Sequence, residues 1–273
     1  MKLKPFLTSL AAVFLILTFL FTGQKRVAAA DSEQIQKIKD AGVLKVGVKQ
    51  DVPNFGYYSA DTGKYEGMEI DIAQRIAADL GVKVEYVAVT TQTREPLMDN
   101  GQIDILIATY TITEERQANY SISNPYYYDE IGFLVRKSSH IKTIADLDGM
   151  TIGVSQGATT KANLEAYAKE HDLSFKYVQL GSFPELAISL YATRIDAFSV
   201  DKSILTGYVS KKTEILKEGF NTQEYGIATK KSNTDITDYI NNLLSQWSKD
   251  GSLQQIYDKY DLTPAAAESV TTK

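Results

Sequence analysis

Apolar runs of strand length alternate with helical patterns along most of the chain, and this alternation constrains the fold more than any other feature. Strands are predicted near 44–48, 83–89, 104–108, 132–136, 151–154, 175–178 and 196–200, and helices near 68–80, 95–100, 159–170, 183–193, 202–209 and within 235–260. Such alternation indicates α/β architecture with mainly parallel sheets and crossover helices. It occurs in two rounds, separated near 123–128.

Polar residues directly follow five of the predicted strands. They are Lys49, the segment 90–94, the segment 109–116, the segment 155–160 and Asp201. In open α/β sheets, ligands bind in the crevice outside the carboxyl ends of the strands. Four of these positions supply cations, hydroxyls or N–H donors, and the fifth supplies a carboxylate. The set predicts a site for a small zwitterion with additional negative charge, as in an acidic amino acid.

The first thirty residues have the pattern of a signal peptide. Lys2 and Lys4 precede an apolar stretch over 6–21, and three alanines at 28–30 offer a cleavage site. The apolar stretch is short for a membrane span, which needs about 20 residues. An uncleaved anchor is the alternative, and secretion is expected in either case.

Composition excludes several classes of function. The predicted signal peptide holds four cations and no acids, so its removal lowers the net charge from −5 to −9, which argues against nucleic acid as a partner. There is no cysteine, and the two histidines, His140 and His171, lie in polar surroundings. We therefore expect no disulfide, metal site or cofactor. No histidine is placed to serve as a general base, so the sequence predicts no catalytic set.

Two long segments resemble a known family of transport proteins. GQIDILIATYTITEER at 101–116 and ISNPYYYDEIGFLV at 122–135 are similar to the amino-acid-binding receptors of ATP-driven (ABC) importers, the extracellular solute-binding proteins of the polar amino acid family. The likeness continues through KYEGMEIDIAQRIAADLG, IADLDGMTIGVSQGATTK and KDGSLQQIYDKY, and so covers nearly all of 44–260. Within the family, KQDVPNF, TQTREPLMDNG and VDKSI most resemble the aspartate- and glutamate-binding members.

The resemblance implies a two-lobed clamp of the type II periplasmic-binding-protein class, joined by two crossover strands. Lobe 1 would comprise 31–125 with 226–273, lobe 2 would comprise 131–220, and the hinge would lie near 125–130 and 221–225. It also implies a monomer that closes over its ligand and meets a membrane permease at the extracellular face of the membrane or in the periplasm. Gln24 stands where lipoprotein members carry a cysteine, so lipid attachment at that position is excluded.

Four residues are implied to hold the groups that all amino acids share. Arg116 and Thr111 would bind the α-carboxylate, since a guanidinium can donate two parallel hydrogen bonds to it. Thr159, at the start of a helix where free N–H groups favour anions, would bind the same carboxylate. Asp201 would accept hydrogen bonds from the α-ammonium group. The alternatives are a surface ion pair with an adjacent glutamate for Arg116, a simple strand–helix turn at 157–160, and a helix cap for Asp201.

Four further residues are implied to select the ligand side chain. Lys49 and Arg94 would bind a side-chain carboxylate, Thr109 would add a hydroxyl, and Tyr225 would contribute from the second crossover. The alternatives are a solvated lysine and an ordinary helix-start pair between Arg94 and the following glutamate. Glutamine-binding relatives carry an acid at the position of Lys49, which favours an anionic ligand here.

Three other functions compete with this interpretation. One is a glutamine-binding receptor of the same family. Another is a dehydratase acting on cyclic acids related to prephenate, because a few relatives on this fold have that activity. Dehydration requires a proton donor facing the leaving hydroxyl, whereas the predicted cleft offers Lys49 and Arg94. The third, a surface adhesin, rests on location alone. We therefore expect a binding protein and not an enzyme.

Overall fold

The computed structural model describes residues 33–265. The predicted signal peptide lies outside these residues, as does the chain beyond 265. The helices of the described part are α1 Glu33–Ala41, α2 Met68–Leu80, α3 Arg94–Asp99, α4 Glu114–Asn119, α5 Thr160–Glu170, α6 Phe183–Tyr191, α7 Lys202–Thr206, α8 Thr234–Lys249 and α9 Ser252–Lys259. None of these helices is long and apolar enough to cross a membrane.

The strands of the described part fall into two main sheets and a small three-stranded one. They are β1 Val43–Val48, β2 Asp51–Val52, β3 Gly56–Ser59, β4 Lys64–Glu66, β5 Lys83–Ala88, β6 Ile105–Ile107, β7 Tyr120–Ile122, β8 Tyr127–Arg136, β9 Thr151–Ser155, β10 Lys176–Leu180, β11 Ala197–Asp201, β12 Thr213–Ile215, β13 Phe220–Tyr225 and β14 Ala228–Lys230.

The predicted elements are confirmed, and several short ones were missed. Every predicted strand and helix is present, and the amphipathic region 235–260 divides into α8 and α9 at Gly251, whose φ is 76°. No sequence pattern predicted α1, β2 to β4, β7, β12 or β14. These strands have two to four residues each, too few to show an alternating pattern.

The first sheet has the strand order β5-β1-β6-β14-β7. β1 pairs in parallel with β5 and β6, as the alternation predicts, whereas β14 is antiparallel to both of its neighbours. β14 follows the second sheet along the chain, so the chain returns to the first sheet there. We call this sheet and the elements packed on it the first lobe.

The second sheet has the strand order β10-β9-β11-β8-β12, with β13 paired to β8. β9, β10 and β11 are parallel, and β8 is antiparallel to β11, β12 and β13. We call this sheet and its helices the second lobe. The chain enters the second lobe through β8 and leaves it through β13. These two strands pair with each other, beginning where Tyr127 of β8 lies opposite Tyr225 of β13.

Direct contacts join the two lobes at both ends of the cleft between them, and we call them the seam contacts. At one end the Thr91 hydroxyl lies 2.7 Å from the Ser155 hydroxyl and donates to the Gln156 carbonyl at 2.5 Å. At the other end the Tyr208 hydroxyl donates to the carbonyl of Asp51. The carboxyl ends of the parallel strands of both sheets therefore face a common, enclosed space.

Candidate functional site

A small cavity lies between the lobes, at the ends of the parallel strands. Its lining residues are Thr91, Arg94, Thr109, Thr111, Ala158, Thr159, Thr160, Phe183, Val200, Asp201 and Ile204. Five of the eight predicted site residues are among them. A wider depression of about 1140 Å³ between α1 and the start of α8 is lined by polar surface residues and holds none of the predicted residues. We therefore take the smaller cavity as the candidate site.

Arg94 is a buried cation that lines this cavity, with only 2% of the residue exposed. Its Nη1 donates to the carbonyl oxygens of Ala108 at 2.8 Å and Thr109 at 3.3 Å, and its Nε has no partner. Burial lowers its pKa to about 9, and the charge of Arg116 acts in the same direction. The expected alternative, a pair with Glu95, is not formed: none of the ion pairs within residues 33–265 involves Arg94.

Lys49 is buried beside the cavity rather than solvated, with 1% of the residue exposed. Its Nζ lies 3.0 Å from Oδ1 of Asp51 and 4.7 Å from the ring centre of Phe183, which lines the cavity. Burial lowers the pKa of Lys49, and the charge of Asp51 opposes this shift. The lysine is thus already neutralised by a carboxylate, which the sequence did not predict.

Arg116 is also buried, and it spans the entrance of the cleft. Its Nε lies 3.2 Å from Oε1 of Glu95, and its guanidinium carbon lies 4.1 Å from the ring centre of Tyr110. Nη1 donates to the carbonyl of Thr111 at 2.9 Å, and Nη2 donates across the cleft to the carbonyl of Gly157 at 3.3 Å. The ion partner is therefore a residue of α3, and the alternative considered from the sequence, a pair with a neighbouring glutamate of α4, is not formed.

Asp201 occupies the N-cap position of α7, but its side chain forms no cap. The backbone N–H of Ser203 donates instead to Asp129, at 3.2 Å to its Oδ2. Asp201 accepts a hydrogen bond from the Tyr225 hydroxyl and lines the cavity. Burial raises the pKa of both carboxyls, and the charge of Asp201 raises that of Asp129 further. The helix-cap alternative for Asp201 is therefore wrong, and its carboxyl faces the cavity with one aromatic hydroxyl as partner.

Three threonines complete the polar lining. Thr109 has a φ of 44°, and its N–H donates to Oε1 of Glu69 at 2.6 Å. Thr111 forms an isolated bridge with Tyr225, so the first lobe touches the second crossover there. Thr159 lies at the N-cap position of α5, and its hydroxyl donates to Oε1 of Gln223 at 3.2 Å. These residues bring hydroxyl and N–H groups from both lobes to one cavity.

Sequence reasoning missed several residues around the cavity. The main ones are Glu69, Tyr126, Asp129 and Phe183. One signal was available for Glu69, because an acid in the otherwise apolar segment MEI is unusual at the start of a buried helix. Phe183, which packs on Lys49, gives no such signal, since a phenylalanine at a helix start usually belongs to the core. Across residues 33–265, no cluster of three or more His, Asp or Glu side chains is placed to hold a metal ion.

The fold and the cavity together define a two-lobed α/β binding protein with its ligand site between the lobes. The chain belongs to the bacterial extracellular solute-binding proteins, family 3, and matches that family over residues 44–263. It is therefore the amino-acid-binding component of an ABC importer, an extracytoplasmic receptor and not an enzyme. The fold class and the family expected from the sequence are confirmed.

Curated relatives share about a third of the sequence or less. The chain is 32% identical to the glutamine-binding protein GlnH of Bacillus subtilis, covering 94% of this chain and 97% of that one. It is 31% identical to the L-cystine-binding protein TcyJ of Escherichia coli, covering 88% and 91%. It is 26% identical to the L-glutamate/L-aspartate-binding protein of Pseudomonas aeruginosa, covering 97% and 90%.

Solved structures of similar proteins show the same fold. A mutant of ArgBP from T. maritima superposes with a TM-score of 0.76 at 31% identity, covering 84% of this chain and 99% of that one. An ancestral amino-acid-binding protein, a precursor of cyclohexadienyl dehydratase, gives a TM-score of 0.75 at 28% identity, covering 83% and 98%. The likeness therefore extends across amino acid receptors of differing specificity.

Proposed function

We propose that this receptor binds an acidic amino acid, glutamate or aspartate. The observation that carries the proposal is the state of Arg94: a buried cation facing the cavity, held by carbonyl oxygens, with an unpartnered Nε and no carboxylate partner. An uncompensated charge in a desolvated site is costly. A ligand carboxylate would supply the missing anion and remove that cost.

The shared groups of the ligand would lie between the lobes. The α-carboxylate would meet the Arg116 guanidinium and Thr111 from the first lobe and the N-terminus of α5 at Thr159 from the second. The α-ammonium would donate to Asp201. The side-chain carboxylate would then reach Arg94, with Thr109 and the more distant charge of Lys49 beside it. Tyr225 would act through its hydrogen bond to Asp201 rather than on the ligand.

A glutamine receptor is the second candidate. Two observations favour it: the similarity to a glutamine-binding protein at 32% identity, and the ion pair between Lys49 and Asp51. Because that pair leaves Lys49 neutralised, the site presents one free cation rather than the two expected from the sequence. An amide oxygen could accept from Arg94, although it would leave the charge uncompensated.

We further propose that the lobes move as units. Residues 31–125 with 226–273 would form one lobe and 131–220 the other, with bending near 125–130 and 221–225, where β8 and β13 run side by side. Only about 20 Å³ of the cavity can hold the centre of a water molecule, so an amino acid can enter only when the lobes separate. Ligand would then stabilise the closed form that the permease recognises. The receptor would be a secreted monomer, held near the membrane surface through the permease.

Thermal unfolding with single amino acids tests the specificity. At a ligand concentration about 1,000 times Kd, binding stabilises a protein by roughly 4 kcal/mol, which for a chain of this size raises Tm on the order of 10 °C. We expect this shift with L-glutamate or L-aspartate, and a smaller one with L-glutamine, L-cystine and L-arginine. A larger shift with glutamine than with both acids would contradict the proposal and establish the second candidate.

A further inference from the structure

Glu69 is a fully buried carboxyl directly beneath the candidate site. It lies in the first turn of α2, where the preceding Gly67 has a φ of 130° and a Cβ there would clash with the Phe55 carbonyl oxygen. This close approach fixes where the helix begins. Oε1 of Glu69 accepts from the Thr109 N–H at 2.6 Å and from the Tyr126 hydroxyl at 2.5 Å, whereas Oε2 has no partner. One peptide group, that of Thr109, separates the carboxyl from the cavity.

The charges that face Glu69 are those of the candidate site itself. Lys49, from the end of β1, and Arg94, from α3, act on it electrostatically, and the Tyr126 hydroxyl contacts it. Neither cation forms an ion pair with it, because Lys49 pairs with Asp51 and Arg94 is held by carbonyl oxygens. Burial is the dominant effect and raises the pKa of Glu69 to about 7, although the hydrogen bonds and both cations oppose it.

We propose that Glu69 is a proton-binding site coupled to the ligand site, so that an anionic amino acid is bound together with one proton on Glu69. The inference rests on the proposed acidic ligand. A ligand carboxylate bound by Arg94 and Thr109 would interact with Arg94, the cation that also stabilises ionised Glu69. The negative charges of the ligand and of Glu69 would then lie in one desolvated region. Protonation of Glu69 removes that repulsion. A neutral ligand brings no second charge and needs no proton.

The sign of the pH dependence follows from this arrangement. The ligand's negative charge raises the pKa of Glu69 above its value of about 7 in the unliganded site. The affinity for the acidic ligand is then at its maximum below pH 7. It decreases as the pH rises from that value through the higher pKa that Glu69 has in the bound form. With one linked proton, the decrease approaches about tenfold per pH unit. Affinity for glutamine lacks this contribution.

The carboxyl pair Asp129 and Asp201 is a second source of linked protons. An α-ammonium group at Asp201 favours the ionised form of the pair, whose pKa values burial raises, so every amino acid should release protons there. This release is common to glutamate and glutamine. The contribution of Glu69 is therefore isolated by the difference between the two ligands.

The experiment is calorimetry of the intact protein with L-glutamate and L-glutamine at pH 7.5, in buffers of different ionisation enthalpy. The dependence of the heat on the buffer gives the number of protons taken up. We expect glutamate to take up about half to one proton more than glutamine, and its affinity to fall about fivefold to tenfold between pH 7.5 and 8.5 relative to glutamine. This measurement requires only the unmodified protein.

Two variants assign the proton. Glu69→Gln keeps the shape and the acceptor for Thr109 and should remove the difference between the ligands, whereas Glu66→Gln, at an exposed position of β4, should retain it. Tight glutamate binding with equal proton uptake for both ligands would overturn the role of Glu69, and so would an unchanged difference in folded Glu69→Gln. Absence of glutamate and aspartate binding at every pH would instead overturn the proposed function.

Discussion

Replacing Arg94 by methionine is expected to weaken glutamate binding by roughly 30-fold to 5,000-fold, which corresponds to the 2–5 kcal/mol lost when a desolvated charged pair loses one partner. Methionine keeps an unbranched apolar stem but carries no charge to compensate the ligand carboxylate. Glutamine binding should weaken far less, because its amide carries no charge. The free energy of unfolding should hold or rise, since the variant removes an unpaired buried cation. Calorimetry and chemical denaturation measure both quantities.

The matched control for this variant is Arg194→Met. Arg194 has the same charge but lies on the exposed surface of the second lobe, after α6. Arg194→Met should leave the affinities for glutamate and for glutamine unchanged. If Arg94→Met reduced glutamate and glutamine affinity by equal factors, Arg94 would serve the shared groups or the fold rather than the side chain. An unchanged glutamate affinity would remove its role in binding altogether.

Replacing Gly157 by alanine is expected to weaken binding of every amino acid, by about 5-fold to 150-fold. Gly157 has a φ of 76°, and a Cβ there would lie 2.6 Å from the Thr91 carbonyl oxygen in the opposite lobe. Overpacking of this kind costs roughly 1–3 kcal/mol. The clash exists only when the lobes are closed, so the variant should favour the open form. Small-angle scattering at saturating glutamate should show a smaller decrease in radius of gyration than in the unmodified protein.

Gly149→Ala separates the clash from backbone strain. Gly149 has a φ of 72°, close to that of Gly157, but nothing lies within 4 Å of a Cβ at that position. Both variants should lower the free energy of unfolding by a similar amount, whereas only Gly157→Ala should weaken binding. Equal affinities for the two variants would show that contact between the lobes at Gly157 does not limit closure.

The sequence predicted where the candidate cavity lies because the rule that places such a site depends only on order along the chain. A polar residue after an apolar strand falls at the carboxyl end of that strand, whatever the details of packing. Lys49, Arg94 and Asp201 were found in this way, and all three are buried at or beside the cavity. The missed strands, such as β14, are set by pairing with distant segments rather than by a local pattern.

The ion partners were not predictable for the same reason. Arg116 pairs with Glu95 rather than with a glutamate of its own helix, and α3 and α4 are separate along the chain, so local sequence does not indicate this pair. Glu69 lies forty positions before Thr109, and no spacing rule joins them. Such partners decide which charge remains free for a ligand. The sequence therefore predicted which residues line the candidate site better than it predicted the net charge of that site.

The seam contacts have a consequence for transport. The hydrogen bonds from Thr91 to Gln156 and from Tyr208 to Asp51 need no ligand, so in the proposed clamp each would raise the fraction of receptors that close while empty. Because a ligand shifts the equilibrium only by its differential affinity for the two forms, a larger closed fraction also tightens apparent binding. If the permease recognises the closed form, as proposed, the same fraction would occupy permeases without cargo. Uptake at scarce amino acid would then be limited by competition between empty and loaded receptors, and the strength of a few contacts outside the ligand site would set that limit.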